Sequence, residues 1–539
     1  MSKINIISEL IQQNNVVLEA KSIVKNMYQR DKIPWVVGYS GGKDSTTTTQ
    51  LIVESLIEMK ESQIVLPKHV YVITSDTLVE TPMIINTIKF TIKSINELAD
   101  KHGLPISAHI VMPKFDQTFW VNVIGRGYPT PNQTFRWCTD RMKIDPANRF
   151  ITEVIDKHGE AIMILGVRDG ESNSRDRSIG NHSVEGKTLM RHATMANAYV
   201  FAPIRKFNID NVWNYLLGNP SPWGANNQEL YQLYSNSSAE CPLIVDESIK
   251  REAGSCGNSR FGCWVCTVVK EDKSLSGFIE SGEDWMRPML EFRNWLYQMR
   301  DDLSIRMKRR NNGLLYFSKV KSIQDHTIVI PEKGGRKKIT INKKDNKWFD
   351  QYNLEWTIFD GVDSEKDAKQ YIASANIDLN SGENPRIIIK NLKDEYMQLG
   401  SGPYTHETRK NILRKLFRVQ KNLDREQELI KREEILEIRK IWMNQGDWED
   451  SASLIYSEIF NAKLIKNNEE HSFFDDEDMN FLNTLCKNEE FDFNTYYELL
   501  RNSHENMGYI NRVEPLKKIK SLLSKEFLLF EGQADNNED

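Results

Sequence analysis

The sequence predicts an α/β fold over residues 1–235, a mostly parallel sheet with helices on both faces. A cysteine-rich insert at 236–270 follows, then a mostly helical region at 271–530 with a small β-hairpin, and a polar, acidic tail at 531–539 that reads as disordered. Three observations predict this. Short apolar, β-rich runs alternate with stretches of helical periodicity, the pattern that right-handed crossovers turn into a parallel sheet. A glycine-rich stretch lies between the first such run and the helix after it. Four of the six cysteines fall within 236–270, where periodicity is lost.

The elements follow in order. Ile7, Leu10, Ile11, Val17, Leu18 and Ile23 recur at roughly helical spacing, so residues 1–30 read as a helix that Pro34 ends. Trp35 to Tyr39 is a short buried strand, and Asp44 to Lys60 is a helix with Leu51, Ile52, Leu56 and Ile57 on one face. His69 to Thr74 is the next strand. The helix from Thr81 to His102 has Pro82 near its start, where proline is tolerated. Ile106 to Met112 is a strand, Met142 to Lys157 a helix and Ala161 to Gly166 a strand. Beyond 275 the pattern is helical and charged, as in Trp285 to Met299 and Leu423 to Met443. In between, two β-rich runs, Thr327 to Ile330 and Lys338 to Asn342, flank Glu332-Lys333-Gly334-Gly335 and predict a hairpin.

Length and composition set the limits. At about 150 residues per domain, 539 residues make roughly three or four folding units. Lys plus Arg is 71 and Asp plus Glu 76, so 71 − 76 = −5, which excludes a globally basic nucleic-acid coat but not a local basic groove. A hydrophobic content of 39%, with 27% charged residues, fits a folded chain rather than a disordered one. No run approaches the about 18 apolar residues that span a bilayer, and no signal-peptide apolar stretch precedes Gln12-Gln13, so a cytoplasmic location is expected. Six cysteines are too sparse for a disulfide scaffold, but Cys256, Cys263 and Cys266 fall within eleven residues, which points to metal or sulfur chemistry.

The strongest local signal is Gly38-Tyr39-Ser40-Gly41-Gly42-Lys43-Asp44-Ser45-Thr46. Between a strand and a helix, backbone N–H groups freed by two glycines converge on an anion, and the helix N-terminus adds its own N–H groups and dipole. Lys43 adds a point charge, and the Ser40, Ser45 and Thr46 hydroxyls add donors. A Walker A loop would need glycine six residues before the lysine and Ser or Thr after it, where Val37 and Asp44 stand. Instead Ser40 to Ser45 resembles the PP-loop of the ATP pyrophosphatases. The resemblance implies an adenine nucleotide alpha hydrolase-like sheet, ATP as ligand with Mg²⁺, adenylylation of an acceptor oxygen and release of pyrophosphate. Asp44 would then orient Mg²⁺ or the pyrophosphate.

Two further segments resemble the phosphoadenylyl-sulfate (PAPS) reductase branch of that family. Ser75-Asp76-Thr77 follows the second strand, which implies that Asp76 and Thr77 lie beside the adenosine. Gly166-Val167-Arg168-Asp169-Gly170-Glu171-Ser172, with Arg175, follows another strand, which implies roles for Gly166, Arg168 and Glu171 at the nucleotide. Strand C-terminal ends are where an open α/β sheet binds ligands, and arginine suits a phosphate oxygen.

The cysteines carry the rest. Arg136-Trp137-Cys138-Thr139-Asp140-Arg141 resembles the reductase-branch segment that holds a cysteine pair, with one cysteine here. Arg136, Arg141 and Lys143 stand within five residues of Cys138, and cations lower a thiol's pKa, so a reactive Cys138 is expected. Cys241, Cys256, Cys263 and Cys266 are four soft ligands without a histidine among them, suited to a 4Fe–4S cluster or a Cys₄ zinc site. The family resemblance favours the cluster. Cys486 reads as structural.

Taken together, these segments with Phe261-Gly262-Cys263-Trp264-x-Cys266-Thr267 resemble the DNA phosphorothioation sulfurtransferases of the PP-loop, PAPS reductase-like family. The matches cover about residues 35–270. The resemblance implies an ATP pyrophosphatase and sulfurtransferase that activates a DNA backbone phosphate. Lys43, Asp44 and Cys138 would be catalytic, with Cys138 a persulfide carrier or a cluster ligand in place of Cys241. DNA, a cysteine desulfurase and other phosphorothioation-complex proteins would be its partners. A PP-loop tRNA thiolase and a non-catalytic nucleotide- and zinc-binding scaffold are the alternatives. DNA contact would fall to the basic runs Arg306-Met307-Lys308-Arg309-Arg310 and Arg336 to Lys347; the bland reading of the second run is a solvated hairpin.

Overall fold

The structure is a computed structural model. It describes residues 3–133, 135–169, 189–192, 195–236, 262–300, 302, 304–307, 310, 317–319, 321–323, 327–331, 338–344, 347–350, 355–360, 387–390, 396–400, 402–423, 427–447, 449–464, 476–488, 496 and 499. Cα packing divides the chain into two compact units. One comprises Met1–Phe119 and Pro131–Leu290, the other Trp120–Thr130 and Glu291–Asp539. The segment 262–290, split in the sequence reading between the insert and the helical region, thus packs with the α/β elements.

The first unit is built on a sheet of order β3-β2-β1-β4-β6-β5. Its strands are β1 (Trp35–Gly38), β2 (Val70–Ser75), β3 (Ile106–Val111), β4 (Ala161–Ile164), β5 (Met190–Arg191) and β6 (Ala198–Phe201). Five are parallel and β5 alone runs antiparallel, on β6. β1 sits centrally, with Trp35 opposite Val70 on one side and Ile162 on the other. Helices cover both faces, which is why its run is wholly apolar and Trp35, Val36 and Val37 are buried.

The helices α1 (Lys3–Gln29), α2 (Lys43–Glu61), α3 (Pro82–His102) and α4 (Asp145–His158) fall close to the bounds read from the sequence. In α3, Ile85, Ile88, Ile92, Ile95 and Ala99 form the buried stripe, Pro82 opens the helix and Gly103, left-handed at φ 59°, closes it. α2 begins against propensity, with four consecutive threonines. Thr47, Thr48 and Thr49 donate Oγ1 hydrogen bonds of 2.9–3.0 Å to the carbonyls of Lys43, Asp44 and Ser45, so these hydroxyls are paired within the helix. Helices α5 (Ile209–Gly218) and α6 (Asn227–Asn236) complete the described part before residue 237.

In the second unit, the predicted hairpin is present as β9 (Thr327–Pro331) against β10 (Lys338–Lys344), with Ile339 opposite Ile330. It belongs to a larger sheet with β7 (Phe317–Lys319), β8 (Lys321–Ile323), β11 (Lys347–Asp350), β12 (Glu355–Asp360), β13 (Ile387–Lys390) and β14 (Tyr396–Leu399), eight strands in the order β7-β14-β13-β12-β11-β10-β9-β8. Every pairing is antiparallel except β12 (Glu355–Asp360) with β13 (Ile387–Lys390). Its described core is small: Ile341, Trp356 and Ile388. The expected helical character appears in helices His406–Lys421, Arg432–Met443 and Ser451–Phe460. Segment Trp120–Thr130 is built into this unit. A π-helical turn spans Val121–Gly125. Leu429 O accepts from Trp120 Nε1 at 2.8 Å, and Ile124 O accepts from Trp442 Nε1 at 3.0 Å. Gly127, at φ +72°, has the Tyr404 carbonyl where a Cβ would stand. No helix among the described residues is long and apolar enough to cross a membrane.

Candidate functional site

The glycine loop leaves β1 where the strand order reverses, between β2 and β4, the crevice in which open α/β sheets bind ligands. Tyr39 N–H donates to Ile73 O at 2.8 Å and ties the loop's start to β2. Gly41 turns at φ +73°, a conformation that favours glycine, and Gly42 caps α2 in extended geometry. Ser45 folds the loop onto its own helix. Its Oγ accepts from Ser40 N–H at 3.2 Å, lies 3.0 Å from Ser40 Oγ and donates to Gly42 O at 2.9 Å.

The segment after β4 closes on the same place. Arg168 Nε donates to Asp44 Oδ1 at 2.5 Å, and Lys43 Nζ lies 3.6 Å from Asp44 Oδ2. All three side chains are largely buried. A Cβ on Gly166 would stand 2.6 Å from the Asp44 carbonyl oxygen, so only glycine lets the two backbones approach so closely. The structure thus brings Ser40 to Ser45, Gly166 and Arg168 together. A carboxylate clamped between two cations beside helix N–H groups is suited to exchange its partners for a metal-bound polyphosphate.

The turn after β2 does two jobs. Asp76 Oδ1 accepts from Leu78 N–H at 2.8 Å, which holds Leu78 at φ 64°, a left-handed conformation that is costly for leucine. Thr77 is fully buried; its Oγ1 donates to Glu80 Oε1 at 3.0 Å and lies 3.2 Å from Cys263 Sγ. The backbone continues the link. Glu80 and Cys263 form an antiparallel bridge, Trp264 N–H donates to Val79 O at 3.0 Å, and Thr81 donates twice to Gly262 O. Sequence reading placed Asp76 and Thr77 at the adenosine and had no signal for this second attachment, which joins positions 186 residues apart.

Around that attachment lie three of the described thiols, Cys138, Cys263 and Cys266. Lys143 Nζ is 3.5 Å from Glu80 Oε1 and within electrostatic range of Cys263 and Cys138. The negative potential of Cys263 and Glu80 holds Lys143 above the ordinary lysine value. Burial pushes the Cys263 thiol well up, and the Glu80 charge adds to this. Cys138 departs from expectation. Burial raises its pKa and the neighbouring Cys266 raises it further, with Lys143 opposing only in part. The Arg141 guanidinium donates to Gln117 Oε1.

Cys138, Cys263 and Cys266 form no disulfide and lie within electrostatic range of one another through Cys266. The donor chemistry suits a thiophilic metal. Among the described residues, no group of three or more His, Cys, Asp or Glu side chains is placed to hold a metal ion. Cys241, Cys256, Glu171 and Arg175 lie outside the described residues. Of the basic positions in the second unit, Arg306 is engaged, donating to Gly402 O and lying over Tyr404 at 5.2 Å. Lys347 pairs with Glu355 at 3.0 Å, while Arg310, Lys343 and Lys344 are exposed. Lys308, Arg309, Arg336 and Lys337 lie outside the described residues.

Residues 34–269 match the family model of the phosphoadenosine phosphosulfate reductase domain. An uncharacterised protein of Methanocaldococcus jannaschii is 26% identical over 282 residues, covering 52% of this chain; the chain spans only 46% of that protein's length. Among solved structures, the PAPS reductase of Candida auris in a phosphate complex is 14% identical, with a TM-score of 0.27, covering 43% of this chain and 93% of that one. The U34-tRNA thiolase NcsA of Methanococcus maripaludis, solved with its 4Fe–4S cluster, is 15% identical, with a TM-score of 0.25, covering 53% of this chain and 80% of that one. Both superpositions are too loose to bear on activity. Residues 34–269 thus resemble the PAPS reductase domain, and the parallel sheet with its Ser-Gly-Gly-Lys-Asp-Ser turn and flanking helices has the PP-loop-like fold.

Proposed function

We propose that this chain is an ATP-dependent sulfurtransferase of the DndC kind, which replaces a non-bridging oxygen of the DNA backbone by sulfur. The observation that carries the reading is the Asp76–Thr81 turn. It borders the glycine loop's neighbouring strand on one side and is bonded to the Gly262–Cys263–Trp264 segment on the other. A two-step reaction needs this proximity of a phosphate-activating site and sulfur-handling thiols.

In the first step a DNA phosphate oxygen attacks the α-phosphorus of Mg-ATP. A P–O–P bond forms, the α–β bond breaks and pyrophosphate leaves. In the second, the outer sulfur of a persulfide charged by a cysteine desulfurase attacks the activated DNA phosphorus, AMP departs with the oxygen, and a second thiol attacks the inner sulfur, which breaks the S–S bond, forms a disulfide and leaves sulfur on the phosphorus. Ser40, Gly41, Gly42 and Ser45 cradle the phosphates, while Lys43 and the loop N–H groups stabilise charge on the leaving pyrophosphate. Asp44 would hold Mg²⁺ or orient the pyrophosphate, and Arg168 would meet a phosphate oxygen. Asp76, Thr77, Gly166 and Glu171 complete the nucleotide side.

Cys263 and Cys266, with Cys241 and Cys256, would hold a 4Fe–4S cluster, which would supply a thiophilic centre near the activated phosphate. Cys138 would be either the persulfide carrier or a cluster ligand in place of Cys241.

The test supplies Mg-ATP, a desulfurase with cysteine, and either duplex DNA or tRNA, then analyses nuclease digests by mass spectrometry. Phosphorothioate-linked dinucleotides from DNA are expected. Thiolated nucleosides from tRNA alone would turn the reading to a tRNA thiolase. No product with either, together with one bound zinc, would leave a scaffold.

A further inference from the structure

The glycine loop has a neighbour outside every motif. Tyr234, on α6, is 8% exposed and packs with Ala20, Leu51 and Leu216, its ring 5.2 Å from Trp213 at 74°. From this apolar socket its hydroxyl reaches the loop. It accepts from Lys43 N–H at 3.3 Å and lies 3.1 Å from where a Cβ on Gly42 would stand. The face of its ring lies 4.7 Å from Lys43 Nζ. A hydroxyl that takes the first N–H of α2 occupies a position a phosphate oxygen would take. Packing holds the ring in place, so the hydroxyl stays at the loop when an anion arrives. A phenol both accepts and donates, so the oxygen that takes the Lys43 N–H can give its proton to a phosphate oxygen.

We infer that Tyr234 is a phosphate-binding residue of the loop, donating to the polyphosphate while its ring holds Lys43 in place. The inference rests on the nucleotide reading of the loop. It extends the site to a helix that begins 184 residues beyond Lys43 (227 − 43).

The experiment measures binding of Mg-ATP, inorganic pyrophosphate and adenosine to the full chain by calorimetry, for the native protein and Tyr234→Phe. Phenylalanine keeps the ring, its packing and its cation contact and removes only the hydroxyl. The expected result is about a tenfold loss of affinity for ATP and for pyrophosphate, the size of one hydrogen bond to a charged group, with adenosine unchanged. Unchanged phosphate binding would overturn the inference and leave the nucleotide reading standing. So would tighter binding, which would make the hydroxyl a competitor for the seat. An equal loss for adenosine would also overturn it, making Tyr234 a structural support. If the native protein binds neither ATP nor pyrophosphate, the nucleotide reading falls and this inference with it.

Discussion

Gly166 and Lys43 show how single residues set the loop. A methyl group on Gly166 would meet the carbonyl carbon and oxygen of Asp44 at 2.7 and 2.6 Å and the nitrogen of Ser45 at 2.9 Å, all of them backbone. No rotamer relieves such a clash. Gly166→Ala is expected to cost about 1–3 kcal/mol of stability by overpacking, read as a lowered thermal midpoint, and to weaken ATP binding by pushing α2 away from β4. Lys43→Ala should leave the fold in place and abolish conversion of ATP to AMP. An unchanged rate would remove Lys43 from the site. The Ser-Gly-Gly-Lys-Asp-Ser string was legible because its spacing is local and its chemistry dense. Tyr234 was not, since a tyrosine three residues from Tyr231 on a helix reads as core, and nothing local marks a hydroxyl that reaches a loop nearly two hundred positions away.

Two elements carry longer arguments. The turn after β2 holds Leu78 in a left-handed conformation and joins the cysteine segment through Glu80 and Thr77. Glu80→Ala removes the acceptor shared by Thr77 and Lys143, so amide exchange at Trp264 and Thr81 should speed up while the rest of the sheet keeps its protection. Equal protection in both proteins would show the backbone bridge to be sufficient. Just before β2 and on β3, His69 Nε2 and His109 Nε2 each lie 2.8 Å from Ser107 Oγ. Burial lowers both pKa values, and His109, His158 and Lys157 lower His69 further. Folded values below the unfolded value of about 6.5 mean that the native state binds fewer protons than the unfolded one under mild acid. The stability of the first unit should be fully present above that pH and fall as the pH drops through it. Replacing both histidines by glutamine should flatten the decline in urea midpoints between pH 7 and 5. Strands β1 to β4 were read almost to the residue, because a sheet covered on both faces favours apolar runs, whereas β5, two residues long, and β6 were not read. The small sheet of the second unit showed only its hairpin, because strands such as β7 (Phe317–Lys319) and β8 (Lys321–Ile323) are three residues long and leave no period to detect.

For the molecule as a whole, the net charge of −5 requires that any DNA affinity come from a local patch. Lys343 and Lys344 stand exposed at the end of β10. Their joint replacement by alanine should lower the slope of log affinity against log salt by about two if both meet phosphates, and an unchanged slope would remove that strand from the interface. The division into units was the least legible feature. Trp120–Thr130 lies in the middle of an α/β pattern yet packs with helices more than 270 positions later, a pairing that no periodicity encodes. The chemistry of the loop stands apart from these questions and can be asked directly. ATP labelled at the α-phosphate, incubated with the native protein, Mg²⁺ and duplex DNA, is predicted to yield AMP with one pyrophosphate for each AMP formed. ADP with orthophosphate would place the cleavage at the wrong bond and contradict the account.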